Sequence, residues 1–331
     1  MLFARRTPER SSRVDVCMST VVSQIVYGVD SRGAALAALR EVRRLEALLS
    51  RFSPRSDVSR LNRAAGGNPV RLRPDTIRVL SKALEISRLS GGAFDVTASP
   101  LVSLWKITSE SPALPSEDAI MQARRLVDYR CLSVDRSSGT ASLKCSGQMV
   151  DLGGIAKGFA ADRVVEIYRK RGVTSAMIDL GGNIAVLGTK EDGSPWNVGI
   201  QDPDAPRGDC LGVLSVSDKS VVTSGDYERF FEIGGQRYHH IIDPRTGYPA
   251  KSGLRSVTVV ADESMTADAL STALFVLGLK RGSEVLRTLR TALTGENVEA
   301  LFVTSDREVY ITPGLAKAYT PTGTPPATTL V

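Results

Sequence analysis

Aromatic residues are scarce in this sequence, at 5%, and its Lys and Arg residues are spread along the chain instead of clustered. The stacking side chains interleaved with basic groups that line a nucleic-acid groove are missing, so nucleic acid is not expected as a partner. Cysteine is equally sparse. Cys17, Cys131, Cys145 and Cys210 form no C-x-x-C pair and no metal-ligand spacing, which leaves buried free thiols as the expectation. No apolar run approaches the length of a membrane span, so membrane insertion is not expected. The Arg-rich start has no apolar h-region ahead of Cys17, so secretion is unsupported and a cytoplasmic location is the expectation. Only two histidines occur, His239 and His240, which confines imidazole chemistry to one place.

What remains has the make-up of a globular enzyme. The 331 residues suit one large domain or two closely joined ones and can bury a sizeable core. Hydrophobic content of 42% and charged content of 24% are ordinary. A net charge of +6 favours an anionic partner, and a phosphorylated small molecule fits better than nucleic acid.

Leu36, Leu39, Val42, Leu45 and Leu48 recur at near-helical spacing, predicting an amphipathic helix from Ala34 to Ser50. Pro74 and Asp75 start a second helix that stops at Gly91-Gly92. Further helices are expected from Ser116 to Tyr129, from Gly154 to Gly172, from Met265 to Leu277 and near Ser283 to Leu293. Strands are expected through Val21 to Val26, in a meander between Cys131 and Val150, and in series after Ser175. The pair Arg229 to Ile233 and Arg237 to Ile242 carries a hairpin signal at Gly234-Gly235. Strands and helices mixed without strict βαβ alternation argue for an α+β fold. The expected layout is a disordered Arg-rich lead over 1–13, a folded domain over 14–312 and a disordered tail over 313–331.

The richest stretch is Asp151-Leu152-Gly153-Gly154-Ile155-Ala156-Lys157-Gly158, where an apolar strand ends in a carboxylate and two glycines precede a helix. Such a turn brings bare backbone to a ligand and aims helix N-terminal amides at it, the geometry of a phosphate site. Asp268 and Thr272 stand four apart on a helix, so their oxygens share a face and can converge on a cation such as Mg²⁺. They can equally serve as an N-terminal stabiliser and a hydroxyl bonded back to its own helix. Of His239 and His240, one can face a cleft and exchange protons near neutrality, or both can belong to a plain hairpin strand. Arg245 in Asp243-Pro244-Arg245-Thr246-Gly247 offers a guanidinium for phosphate. Asp95 can meet a ligand or cap local amides, and Lys157 can neutralise a phosphate or be solvated.

Together these segments resemble the ApbE family of FAD:protein FMN transferases. The resemblance rests on the glycine turn through Ala160, on Gly181-Gly182-Asn183-Ile184, on Thr223-Ser224-Gly225-Asp226-Tyr227-Glu228-Arg229, on His240 to Gly247 and on Ala267 to Ala273. It implies an ApbE-like mixed fold of antiparallel sheets flanked by helices, T-fold-like. It also implies Mg²⁺-dependent cleavage of FAD, with FMN attached to a threonine of an acceptor flavoprotein and AMP released. The implied metal ligands are Asp268, Thr272 and the carbonyl of Gly154, and the implied catalytic residues are His240 and Asp268. FAD contacts carried over are Met18, Phe52, Ala93, Phe94, Asp95, Asp151, Lys157, Ile242 and Ser271. Two departures stand out: Phe52 where many members have Tyr, and Met18-Ser19-Thr20 where many have Met-Gly-Thr. An FAD pyrophosphatase and a non-catalytic FAD-binding protein remain the alternatives.

Overall fold

The computed structural model describes residues 9–292, 297–323 and 329–330. Strands β1 (Glu9–Cys17) and β2 (Thr20–Gly28) pair as a hairpin and lead into helix α1 (Ser31–Leu49). Helix α2 (Asp57–Arg63), strand β3 (Val70–Arg71) and helices α3 (Pro74–Leu89), α4 (Ser99–Trp105) and α5 (Glu117–Arg124) follow. Strands β4 (Leu132–Asp135) and β5 (Thr140–Leu143) precede helix α6 (Ala156–Lys170). Next come β6 (Ser175–Leu180), β7 (Asn183–Leu187), β8 (Trp196–Gln201), β9 (Cys210–Val216) and β10 (Ser220–Gly225). The hairpin β11 (Phe230–Ile233) and β12 (Gln236–His239), strand β13 (Leu254–Ala261) and helix α7 (Ser264–Ala292) follow. Strands β14 (Glu299–Thr304), β15 (Val309–Ile311), β16 (Tyr319–Pro321) and β17 (Thr329–Leu330) complete the order.

Nine strands form the central sheet in the order β1-β2-β6-β7-β10-β13-β14-β15-β17. All its pairs are antiparallel except β15 with β17. Both faces of its middle are covered, so β13 and β14 are buried along most of their length. Val257 and Val259 join the cluster shared with α1, α6 and α7, while Val260 joins Trp196, Leu214 and Tyr319 from the small sheet β16-β9-β8. The result is the α+β arrangement of antiparallel sheets flanked by helices that the sequence predicts.

A third cluster positions the candidate site. Leu101 and Trp105 of α4, Ile120 of α5, Phe231 of β11 and Ile242 pack together. The Trp105 indole N–H donates to the Gly247 carbonyl at 2.7 Å. Gly247 has φ 83°, and a Cβ there would lie 2.6 Å from Ile120 Cγ2. The turn that follows His240 is thereby fastened to α4 and α5.

Several expectations need correction. The lead expected to be disordered to residue 13 is strand from Glu9, because β1 finds backbone partners along β2 while Arg10 and Ser12 stay exposed on the sheet edge. The tail after 313 also contributes structure: Leu315 and Tyr319 are buried, and β16 pairs with β9. Residues 1–8, 324–328 and 331 lie outside the described residues. The helix expected from Ser116 to Tyr129 ends at Arg124, with a separate 3₁₀ turn at Tyr129–Cys131. The two expected C-terminal helices adjoin at Gly278, whose φ of 76° breaks the helical run; Leu293 lies outside the described residues. Of the four thiols expected to be buried, only Cys17 is; Cys145 is exposed and Cys131 and Cys210 are half-buried, because they lie in turns and at strand ends. Helices α2 and α4 and strand β10 are elements that periodicity does not reveal.

Candidate active site

The glycine turn is held open from behind. The Asn62 side-chain amide brackets Val150, donating to its carbonyl at 3.0 Å and accepting its N–H at 2.8 Å. The Asp151 N–H donates to the Val96 carbonyl at 2.9 Å. Asp151 itself is spent on the turn: Oδ1 accepts the Gly153 N–H at 2.8 Å, and Oδ2 lies 2.9 Å from Arg51 Nε. The same guanidinium stands 4.4 Å from the ring centroid of Phe52, which is 78% exposed.

Beyond the turn, the Gly158 amide is not left for a phosphate as the glycine pattern suggests. The Gly158 N–H, in the first turn of α6, donates to Asp268 Oδ2 at 2.9 Å. A Cβ on Gly158 would sit 2.7 Å from the Cα of Met265, so this glycine lets α6 press against the start of α7. In return, Asp162 of α6 accepts the N–H groups of Ser264 and Met265 at 2.7 and 2.9 Å. Burial pushes the Asp162 carboxyl up to about 7, against the pull of those two amides.

This latch sets Asp268 and Thr272 beside Gly154. Asp268 is 4% exposed; its Oδ1 lies 3.8 Å from Lys157 Nζ. A Cβ on Gly154 would stand 3.5 Å from Thr272 Oγ1 and 3.2 Å from Phe94 Cε2. The bare glycine thus leaves a gap beside the Thr272 hydroxyl and the Phe94 ring, with the Asp268–Lys157 pair one helical turn away from Thr272 along α7. Among the described residues the Thr272 hydroxyl makes no bond back to its own helix and instead meets Ser224 Oγ at 3.4 Å. The back-bonding role belongs to Ser271, whose Oγ donates to the Asp268 carbonyl at 2.9 Å and lies 2.8 Å from Ser224 Oγ. A cation fits this donor set only with help. Among the described residues no three His, Cys, Asp or Glu side chains gather as a metal cluster. One carboxylate with hydroxyl and carbonyl oxygens suits Mg²⁺, which keeps waters and takes substrate phosphate oxygens.

The two histidines separate as neighbours on a strand must. His239 faces the core, with Nε2 donating to the Ala250 carbonyl at 3.0 Å, Nδ1 accepting the Ile241 N–H at 3.3 Å, and its ring edge-on to Phe275. His240 lies on the other face, its backbone N–H and Nδ1 both directed at the Arg229 carbonyl at 3.0 and 3.3 Å. A carbonyl only accepts, so Nδ1 carries the proton and Nε2 keeps its lone pair. Burial first, then the nearby Arg229, His239 and Lys157 charges, push the His240 imidazolium down to about 4.

Other expected contacts are committed elsewhere. Both oxygens of Asp95 serve local structure: Oδ1 accepts from Thr97 N–H and Oγ1 at 2.8 and 2.6 Å, and Oδ2 from the Tyr129 N–H at 2.9 Å. Burial raises its pKa. Arg245 forms a paired contact with Asp243 inside its own turn, Nε to Oδ1 at 2.9 Å and Nη2 to Oδ2 at 2.8 Å, so its guanidinium is not held out for phosphate. Ile242 packs into the α4–α5 cluster and Ala93 is buried. Met18 sits in the β1–β2 turn, its N–H donating to Glu46 Oε1 at 2.7 Å. Arg229 reaches the Ser19 carbonyl at 3.5 Å, which ties that turn to the strand carrying His240. Sequence reasoning missed Asn62, Arg51, Asp162 and Ser224 as participants; only Ser224, in a Thr-Ser-Gly segment, carried a local signal.

A glycine turn beside a carboxylate, hydroxyls and an ammonium group on an α+β frame suits the chemistry of phosphate esters. The chain belongs to the ApbE family, whose sequence model matches residues 18–296. It is 40% identical over 321 residues to an FAD:protein FMN transferase of Treponema pallidum, covering 92% of this chain and 87% of that one. A Klebsiella pneumoniae protein of the same name is 36% identical over 291 residues, covering 87% and 88%. The fold matches the crystal structure of the ApbE protein of Thermotoga maritima with a TM-score of 0.85 at 32% identity, covering 94% of this chain and 99% of that one. It matches the flavin transferase ApbE of Vibrio cholerae with a TM-score of 0.82 at 28% identity and the same coverage. No helix among the described residues is long and apolar enough to cross a membrane.

Proposed function

We propose that this chain is an FAD:protein FMN transferase that moves FMN from FAD to a threonine hydroxyl of an acceptor flavoprotein and releases AMP. The relatives named above support the reaction. The observation that supports it in this chain is the Thr272 hydroxyl beside the bare Gly154, with Asp268 one helical turn before Thr272 and paired with Lys157. In the reaction a bond forms between the acceptor oxygen and the FMN phosphorus, and the bridging P–O bond breaks, leaving AMP. Mg²⁺ held by Asp268, Thr272 and the Gly154 carbonyl would neutralise charge on the pyrophosphate. Lys157 adds a positive charge beside those phosphates. His240 accepts the acceptor proton at Nε2 while its Nδ1 stays anchored on Arg229.

For FAD itself, the exposed ring of Phe52 offers a stacking face. Met18, Ala93, Phe94, Ile242 and Ser271 complete the proposed contacts. Asp95 and Asp151 shape the walls of the site, since their carboxylates are engaged within the protein. We also propose a cytoplasmic setting on separate ground: all four cysteines are free thiols and Cys145 is exposed, the usage of a reducing compartment. Recovery of the native protein outside the inner membrane overturns that placement.

The test is incubation of the purified protein with FAD, Mg²⁺ and an acceptor domain carrying its target threonine, followed by mass spectrometry of the acceptor. The expected result is an FMN increment that disappears in Asp268→Ala. Free FMN and AMP over an unmodified acceptor would favour a pyrophosphatase, and intact FAD a binding protein.

A further inference from the structure

Three hydroxyl groups and one carbonyl stand in a row at the edge of the candidate metal site. Thr272 Oγ1 lies 3.4 Å from Ser224 Oγ, Ser224 Oγ lies 2.8 Å from Ser271 Oγ, and Ser271 Oγ lies 2.9 Å from the Asp268 carbonyl. The distances alone leave the protons unassigned, but the end of the row assigns them. A carbonyl can only accept, so the Ser271 proton goes to Asp268. Each hydroxyl owns a single proton. Ser271 must therefore accept from Ser224, and Ser224, having given its proton to Ser271, must accept from Thr272.

We infer that Ser224 is a positioning residue that draws the Thr272 hydroxyl proton away from the cation, leaving the Thr272 lone pairs turned toward it. The inference rests on the proposed metal reading of Thr272. Ser224 touches neither the cation nor the flavin in this scheme; it acts through Thr272. Its place in the fold suits that task. It sits on β10 of the central sheet, opposite Val257 of β13, so its Cα is held by a rigid neighbour. Thr272 is partly exposed between the buried Ser271 and Ala273, and its hydroxyl oxygen lies 3.5 Å from where a Cβ on Gly154 would stand. Without Ser224, the Thr272 proton has no acceptor in the row and is free to rotate toward the cation, where a donor opposes binding. Groups that orient a metal ligand in this way typically change metal affinity by ten- to a hundredfold, roughly, when removed.

The experiment measures Mn²⁺ binding to FAD-free protein, counting free ion by electron paramagnetic resonance, for wild type, Ser224→Ala, Ser224→Thr, Thr272→Val and the double variant Ser224→Ala/Thr272→Val. Ser224→Ala is expected to raise the dissociation constant about tenfold. Ser224→Thr, which keeps the hydroxyl, is expected to restore binding to within about twofold of wild type. In the Thr272→Val background the Ser224→Ala change is expected to add nothing, since its route of action is gone. Wild-type affinity in Ser224→Ala, or an equal loss in both backgrounds, overturns the relay. Wild-type affinity in Thr272→Val overturns the metal reading of Thr272 itself, a separate result. Should Ser224→Ala fail to fold, Ser224→Cys, of similar volume and a poor acceptor, replaces it in the same comparison.

Discussion

Asp162 and Asp268 are reciprocal: each carboxylate accepts backbone N–H groups from the first turn of the helix that carries the other. The two differ in what remains to them. Asp162 uses both oxygens on α7, whereas Asp268 uses Oδ2 on α6 and keeps Oδ1 toward Lys157. Asp162→Ala should therefore cost stability, about 1–2 kcal/mol for a lost helix cap, read by urea denaturation. Asp268→Asn keeps an oxygen for the Gly158 amide and should stay within about 1 kcal/mol of wild type, while flavin transfer falls by about 10²–10³. Equal destabilisation by both would refute the division of labour.

Lys157 stands where a cation bound to Asp268 Oδ1 would compete with it. Removing the ammonium in Lys157→Met is expected to tighten Mn²⁺ binding in FAD-free protein by about threefold and to weaken FAD binding by about tenfold, on the scale of partly exposed charge pairs. Calorimetry of each ligand reads the two effects separately. Weaker metal binding in this variant would mean that Lys157 supports the site in some other way.

His240 is neutral well below the usual imidazole range because burial and nearby cations hold its pKa at about 4. The acid limb of the transfer rate attributable to this group should fall near pH 4 instead of near about 6.5, the value of an unperturbed imidazole. The same shift affects stability. Between those two values the unfolded chain binds the proton that the folded chain refuses, so this contribution is complete above the unfolded value and is lost as pH falls toward 4. His240→Gln should flatten that slope and cut the transfer rate by about 10²-fold or more. A wild-type acid limb near 6.5 that persists in the variant would assign it to another group.

Met18 and Ser19 both occupy left-handed backbone, with φ of 53° and 58°, in the two-residue turn between β1 and β2. Turns of this kind favour glycine, and a non-glycine residue there is strained. Ser19→Gly should stabilise the protein by about 0.5–1 kcal/mol, the relief of strain less the added freedom of the unfolded chain. Chemical denaturation checks this, and a loss of stability would mean that the Ser19 side chain outweighs its backbone strain.

Legibility differed from element to element. Helices α1 and α3 and the hairpin β11–β12 stand out because each has one solvated face or a glycine turn, so periodicity marks them. Strand β10 does not stand out: it lies inside the sheet, and Ser220, Thr223 and Ser224 interrupt its apolar run. The polar residues that mask it belong to cross-element contacts, Thr223 with Thr258 and Ser224 with Ser271. The same blindness affects Asp95 and Arg245. Their residue types suit a ligand as well as a local turn, and only their actual partners decide between the two.

The sequence by itself determined the α+β class, the family, and the glycine, carboxylate and hydroxyl positions from which a site can be built, because these depend on local pattern and spacing. Tertiary structure alone decided which groups are available. It spent the α6 amide of Gly158 on Asp268, turned His239 to the core and His240 to the Arg229 carbonyl on the other face, and aligned Ser224, Ser271 and Thr272 from two different elements. The physical reason is that a hydrogen-bonding group can be satisfied by partners a hundred residues away, and no local stretch of chain records which partner it will meet.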